Sequence, residues 1–305
     1  MRRRKRPVAP LPQRFGVDPV QVRMPQDGSW PTIGQYLVHR LPDGVDARLA
    51  EMLRDGEILG PDGPIDATTP YLPGASVWFH RDLPAEPTVP FPLTVVHRDE
   101  NILVVDKPHF LATTPRGSHV VQTALSRLRH ELALPELSPA HRLDRLTAGL
   151  VLFVVRPGAR GAYQGLFRER LVRKEYLAVA RFDPGLALPR TVRNRIVKER
   201  GVIAAHEEAG PVNAESRIEL LERRGPLGLY RLEPHTGRTH QLRLHMCSLG
   251  LPLLNDPVYP EVLPAADPQD FRNPLQLLAN RLEFTDPLTG REVCLQSGRT
   301  LAAWV

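Results

Sequence analysis

Leu150-Val151-Leu152-Phe153-Val154-Val155 is the longest unbroken apolar run in the chain. It is far too short to cross a bilayer, which takes about 20 such residues. Its length and branched composition predict a buried β-strand over 149–155. With 42% hydrophobic residues the chain has the material for a core around that strand, so wholesale disorder is excluded. At about 150 residues per domain, 305 residues suggest two domains or one large mixed one.

The remaining periodicity organises the chain around this strand. Thr32 is placed to cap a helix carrying Ile33, Tyr36, Leu37 and Leu41 on one face. A second helix carries Leu49, Met52 and Leu53 and closes at Asp55-Gly56. Short strands fit Glu57–Leu59 and Val77–His80. Together these form a small N-terminal α+β module over 31–84, ending in the Pro-rich linker 84–87. Residues 1–30 lack an apolar period and read as an extended or disordered basic lead. From about residue 90 to 305 strands and helices alternate. Leu93–His97 and Ile102–Val105 pair as strands around Asp99-Glu100-Asn101. Val121–Leu134 is helical, Tyr163, Leu166, Phe167 and Leu171 form a helix face, and Tyr176–Ala180 and Leu229–Leu232 are strands. A last helix carries Leu242, His245, Met246 and Leu249 and stops at Gly250.

Charge is more informative by position than in sum. The net charge is +6, but Arg2 to Arg6 alone supply five positive charges. That start runs into Pro-rich sequence with no apolar segment, unlike a secretory signal. Residues 31–140 are net −5, and residues 141–200, with 14 basic and 5 acidic side chains, are net +9. A block of this kind suits a polyanion or a solvated helix face. Cys247 and Cys294 are too few for a disulfide framework or a Cys-rich zinc site. The chain is expected to be soluble, cytoplasmic and monomeric.

Three segments carry candidate chemistry. His141-Arg142-Leu143-Asp144-Arg145-Leu146-Thr147-Ala148-Gly149 leads into the apolar strand. A carboxylate between two arginines stays ionised, which suits a nucleophile or electrostatic stabiliser, or a loop-end salt bridge. Lys174-Glu175-Tyr176 opens a strand, and its tyrosine serves either packing or stacking on a base. Gly237 to His245, GRTHQLRLH, concentrates planar donors able to hold phosphate, carboxylate or a base edge, or to begin a polar helix. There is no GxSxG, GxGxxG, P-loop or HExxH pattern. His235, His240 and His245 are five residues apart, off a common helix face, so no metal site is expected.

Taken in order, these segments resemble the RluA-type RNA pseudouridine synthases. HRLDRLTAG is similar to that family's HRLDxxTSG signature, and KEYLAVA and GRTHQLRLH to its second and third motifs. Leu103-Val104-Val105-Asp106-Lys107-Pro108 and Gly250 to Tyr259, GLPLLNDPVY, are also family-like. The resemblance spans about residues 90–290. It implies the pseudouridine synthase fold, a mixed α/β (α+β) domain on a bent, largely antiparallel sheet flanked by helices. It also implies the reaction: a uridine in RNA loses its base nitrogen–ribose bond, the uracil turns, and its carbon five joins the sugar.

By resemblance Asp144 is the essential aspartate, Tyr176 packs on the target base, Arg243 pairs with Asp144, and Leu254 closes the pocket. Arg142, Arg238, His240 and Gln241 complete the substrate pocket. Arg145, Arg168, Arg170, Arg173 and Lys174 are expected to contact RNA phosphates. No cofactor, metal or membrane enters the reading, and the partner is rRNA ahead of tRNA. Ala148 replaces the family's serine and Asn255 its glycine; asparagine tolerates left-handed backbone. The N-terminal module weakly resembles a ribosomal S-four-type RNA-binding domain. Two other readings share these residues: a non-catalytic RNA-binding or ribosome-assembly factor on the same fold, and a nucleoside-bond hydrolase. Free uracil as product would mark the second.

Overall fold

The structure, a computed structural model, describes residues 9–41, 46–83 and 85–305. The basic cluster Arg2–Arg6 lies outside the described residues. The chain divides into two compact units, Met1–Ala85 and Glu86–Val305.

The first unit contains strand β1 (Val20–Arg23), helices α1 (Ile33–Arg40) and α2 (Asp46–Arg54), short strands β2 (Leu59–Gly60) and β3 (Gly63–Pro64), and strand β4 (Ser76–Phe79). The sheet order is β1-β4-β2-β3. Thr32 caps α1, its hydroxyl accepting the Gln35 N–H. The apolar faces of both helices bury Ile33, Tyr36, Leu37, Leu49, Met52 and Leu53 against Val77 and Phe79. One expectation is corrected here. Part of the supposed lead is a working strand: Val20–Arg23 pairs with Phe79–Ser76, and Met24 is fully buried. A four-residue strand whose side chains are half-exposed carries too weak a period to be read from sequence.

The second unit is built on a ten-stranded sheet. Its elements in chain order are β5 (Thr94–Arg98), β6 (Ile102–Lys107), α3 (Ala124–Glu131), β7 (Ser138–Pro139), β8 (Ala148–Val154), α4 (Arg160–Arg168), β9 (Arg173–Arg181) and β10 (Arg190–Asn194). The pair β11 (Ile196–Val197) and β12 (His206–Glu207) forms a separate ribbon. Then come β13 (Ala214–Arg224), β14 (Leu227–Pro234), α5 (Gln241–Ser248), β15 (Leu277–Thr285) and β16 (Glu292–Gln296). The sheet runs β10-β13-β14-β9-β15-β8-β6-β5, with β16 beside β15 and β7 beside β8. Among these pairs β15–β8 is parallel and the rest are antiparallel. The expected mixed, largely antiparallel sheet is thus observed.

The apolar run becomes β8, buried along its whole length. Val151 and Phe153 enter a core capped by Ala124, Leu125 and Leu128 of α3. Leu150, Leu152 and Val154 enter the opposite core under Tyr163 and Leu166 of α4. Each such side chain is worth about 1.5–3 kcal/mol of burial. Helix α3 is shorter than expected because Thr123 caps it, accepting the Ser126 N–H. Helix α4 stops before Leu171, which is exposed, because Arg170 turns left-handed at φ 61°.

At the head of β8, Gly149 has φ +113°, and a Cβ there would lie 2.3 Å from the Ala279 carbonyl oxygen. Only glycine lets β8 meet β15. Ala279 then pairs with Gly149 on one side and Tyr176 of β9 on the other. The fold thereby brings the HRLD loop beside Tyr176.

Candidate active site

The loop 140–147 that carries Asp144 is tied down on all sides. Thr113 donates its hydroxyl to the Leu143 carbonyl at 2.8 Å and accepts the Leu143 N–H at 3.1 Å. The Thr147 N–H closes a turn on the Asp144 carbonyl. His109 Nδ1 donates to the Leu146 carbonyl at 2.7 Å. The fully buried Lys107 donates through Nζ to the carbonyls of Pro108, Leu111 and Arg145. His141 accepts the Leu152 N–H through Nε2 and stacks on Phe167 with 4.3 Å between ring centroids. Burial pushes His141 down to about 3 and His109 to about 4. Both rings are therefore neutral near pH 7, as the accepting Nε2 of His141 requires. Burial also pushes Lys107 down to about 7, against the opposing pull of the Asp144 charge.

Asp144 keeps 30% of its side-chain accessibility and sits where two depressions meet. The narrower, about 290 Å³, is lined by Tyr176, Lys174, Thr236, Arg238 and Gln241. The wider, about 1070 Å³, opens between Phe110–Arg116 and the segment 252–275. Asp144, Arg116, Arg142, Leu143, His240 and Arg243 line both. Tyr176 bridges two apolar clusters, and burial together with the Asp144 charge holds its phenol above the ordinary range. It therefore presents a neutral ring beside a carboxylate.

Arg243 does not form the expected direct pair with Asp144. It is buried in α5 and forks onto Asp256, with Nε–Oδ2 at 2.8 Å and a second bond at 2.5 Å. Asp256 also accepts the backbone N–H groups of Val258 and Tyr259. The charge of Arg243 still reaches Asp144 through the low-dielectric wall. Among the described residues, His240 enters ion-pair range of Asp144, with Nε2 4.0 Å from Oδ2.

Other expected site residues divide clearly. Arg142 and Arg145 are exposed on the cleft rim, and Lys174 lines the narrow slot, pushed down to about 8 by burial and Arg170. Arg170 is therefore near the slot. Arg173 is not: successive strand residues face opposite ways, and it meets Glu233 and Glu283 on the face away from Tyr176. Arg168 pairs with Glu169 outside both depressions. Gln241 lines the slot, but its amide is fully committed to Thr236, Arg238, Glu215 and Ser216, so it holds the loop's shape. Arg238 is exposed and donates to the Asn213 carbonyl.

Leu254 touches the wide cleft yet packs with Ala148, Val179, Leu278 and Leu301; its neighbour Leu253 is the one that shares a cluster with Tyr176. Asn255 adopts φ 62° and donates to the Pro274 carbonyl. Arg116 was missed: it is an isolated cation in an acidic stretch, with no motif around it. Among the described residues no group of His, Cys, Asp and Glu is arranged to hold a metal.

The profile of the family described as RNA pseudouridylate synthase matches residues 101–248. A dual-specificity RNA pseudouridine synthase of Pasteurella multocida is 35% identical over 219 residues, covering 67% of this chain and 91% of the relative. The ribosomal large subunit pseudouridine synthase D of Pseudomonas aeruginosa is 28% identical over 275 residues, covering 85% of each. The solved human RNA pseudouridylate synthase domain containing 4 shares the fold, with TM-score 0.52 and 23% identity over 68% of this chain and 88% of that one.

Proposed function

The chain belongs to the RNA pseudouridylate synthase family and isomerises uridine to pseudouridine in RNA; on that premise we propose that Asp144 is the essential group, that the target base lies against Tyr176, and that rRNA is the substrate ahead of tRNA. The observation that carries the site assignment is the position of Asp144. It is a partly open carboxylate on a pinned loop, at the mouth of a slot walled by a neutral tyrosine.

The reaction breaks the N1–C1′ bond, turns the uracil and forms the C5–C1′ bond. The proton leaves C5 and one is gained at N1, so atoms and electrons balance without a redox partner or co-substrate. Asp144 supplies negative charge beside the sugar carbon whose bonding changes. The Arg243–Asp256 pair stiffens the wall behind it. Tyr176 and Leu253 give the detached base an apolar surface to turn on, which keeps it from leaving. To reach the slot the uridine must leave its stack. Arg116, Arg142, Arg145, Arg170 and Lys174 around the openings are then available to the flanking phosphates.

The rRNA assignment draws on the likeness to a ribosomal large subunit enzyme, which extends through most of this chain. With rRNA as substrate, the protein works in the cytoplasm, as a monomer whose site is assembled from one chain and needs no metal or cofactor. Asp144→Asn should lower tritium release from RNA labelled at uridine carbon five by about 10³-fold or more, with RNA binding retained. Undiminished release would sink the assignment. Mapping pseudouridines in rRNA and tRNA from cells with and without the protein identifies the target.

A further inference from the structure

His240 precedes α5 with φ 58°, a conformation that residues bearing a Cβ adopt rarely. Its ring meets that of Tyr259 edge-on, and Nδ1 lies 3.1 Å from the Tyr259 hydroxyl. That hydroxyl accepts the Ala205 N–H at 2.8 Å and donates its proton to the Ala205 carbonyl at 2.9 Å. The single phenolic proton is thus committed, and the His240 bond forms only if Nδ1 is the donor. Burial keeps the imidazole below its ordinary range, so the ring is neutral near pH 7. A neutral ring protonated at Nδ1 has a bare lone pair at Nε2. That lone pair lies 4.0 Å from Asp144 Oδ2, acceptor facing acceptor. Both side chains line both depressions, so a ligand can reach the gap.

We infer that Nε2 of His240 accepts the 2′-hydroxyl of the target uridine, which makes this histidine the residue that reads ribose. The inference rests on the pseudouridine reading above. A sugar whose anomeric carbon faces Asp144 carries its 2′-hydroxyl one carbon away. Left to itself, that donor would hydrogen-bond to the carboxylate and lower its reactivity. His240 takes the proton and leaves the carboxylate to the sugar carbon. The same contact distinguishes RNA from DNA, since the 2′-hydroxyl is the group that differs. Tyr259 acts one step behind, as the positioning residue that sets which ring nitrogen is bare.

The test uses a synthetic stem-loop containing the mapped uridine, with ribose or 2′-deoxyribose at that one position. Steady-state kcat/KM of the wild-type enzyme should fall by about tenfold or more on the deoxy probe, the usual effect of stranding one polar group. His240→Asn tolerates the left-handed backbone and can still meet Tyr259, but ends short of the Nε2 position. It should slow the ribose probe by a similar factor and bring the ribose-to-deoxyribose ratio close to one. His240→Gln returns an amide oxygen near the Nε2 position and should restore part of that ratio. If His240→Asn discriminates as strongly as wild type, the ribose contact is wrong while the enzymatic reading stands. If wild type forms no pseudouridine on any mapped RNA, both fall together. A separate readout is ¹⁵N NMR of the free enzyme, with His240 assigned by its loss in the asparagine variant. The proton belongs on Nδ1, and finding it on Nε2 overturns the inference without reference to activity.

Discussion

The floor and the roof of the wide cleft are built in opposite ways. The floor is the Asp144 loop, held by Thr113, Lys107, His109 and His141 through hydrogen bonds from buried and half-buried side chains. The roof is the stretch 260–273, in which Val262 and Leu263 are half exposed and the side-chain hydrogen bonds are local, as from Arg272 to Asp270. Its anchor is Phe271 against Phe110, 5.3 Å between centroids, with the Leu263 N–H on the Pro257 carbonyl. A carboxylate that must meet one carbon atom gains from rigidity, because small misplacements cost large factors in rate. A surface that receives RNA gains from exposed apolar and polar groups on a loop. The difference therefore separates the residues that set the rate from those that set the grip.

That division can be broken by mutation. The largest effect is expected behind the floor. Asp256→Asn leaves the buried Arg243 cation without its partner and should lower unfolding free energy by about 3–5 kcal/mol, read by denaturant titration. A loss below about 1 kcal/mol would show that the pair is not structural. Next, Thr113→Val keeps volume but strands both polar groups of Leu143. Steady-state assays should show kcat down by about 10- to 100-fold with KM almost unchanged. An effect confined to KM would contradict the rigid-floor account.

Lys107 gives a smaller effect with a defined sign. Its folded pKa, about 7, lies below the ordinary 10.5. Between these values the unfolded chain binds more protons, so stability from this group rises with pH. From pH 7 to 9 wild type should gain about 2 kcal/mol over Lys107→Met. A difference that stays flat or shrinks over that window would refute the low pKa. Last, Leu263→Ser on the roof should leave stability within about 0.5 kcal/mol and kcat unchanged, while KM for RNA rises a few-fold. A drop in kcat there would erase the distinction between floor and roof.

Much of the floor was legible beforehand. The apolar run announced β8, and the polar segment before it marked where a charged loop would enter the core. Thr32 is a helix cap because its side chain competes for local backbone donors, and that is written in adjacent residues. The strand in Val20–Arg23 was not legible, because its partner is Ser76–Phe79 and its own period is weak. Arg116 escaped for a related reason: an isolated cation acquires meaning only when the fold sets it in the wall of the same depression as Asp144. Arg173 and Lys174 look equivalent as neighbours in a basic block, yet strand alternation sends one to the slot and the other to Glu233.

By itself the amino-acid order determined the helices, the apolar strand β8 and which short runs carry unusual chemistry. These follow from forces acting over a few residues: steric limits on the backbone, capping, and the period of apolar side chains. Tertiary structure decided the partnerships. Arg243 chose Asp256 over Asp144, Leu253 and not Leu254 joined Tyr176, and Tyr259 with Ala205 set the protonation of His240. Hydrogen bonds and close ion pairs form only between groups brought within about 4 Å, so which of two plausible partners a charge takes is settled only when the sheet has placed distant segments side by side.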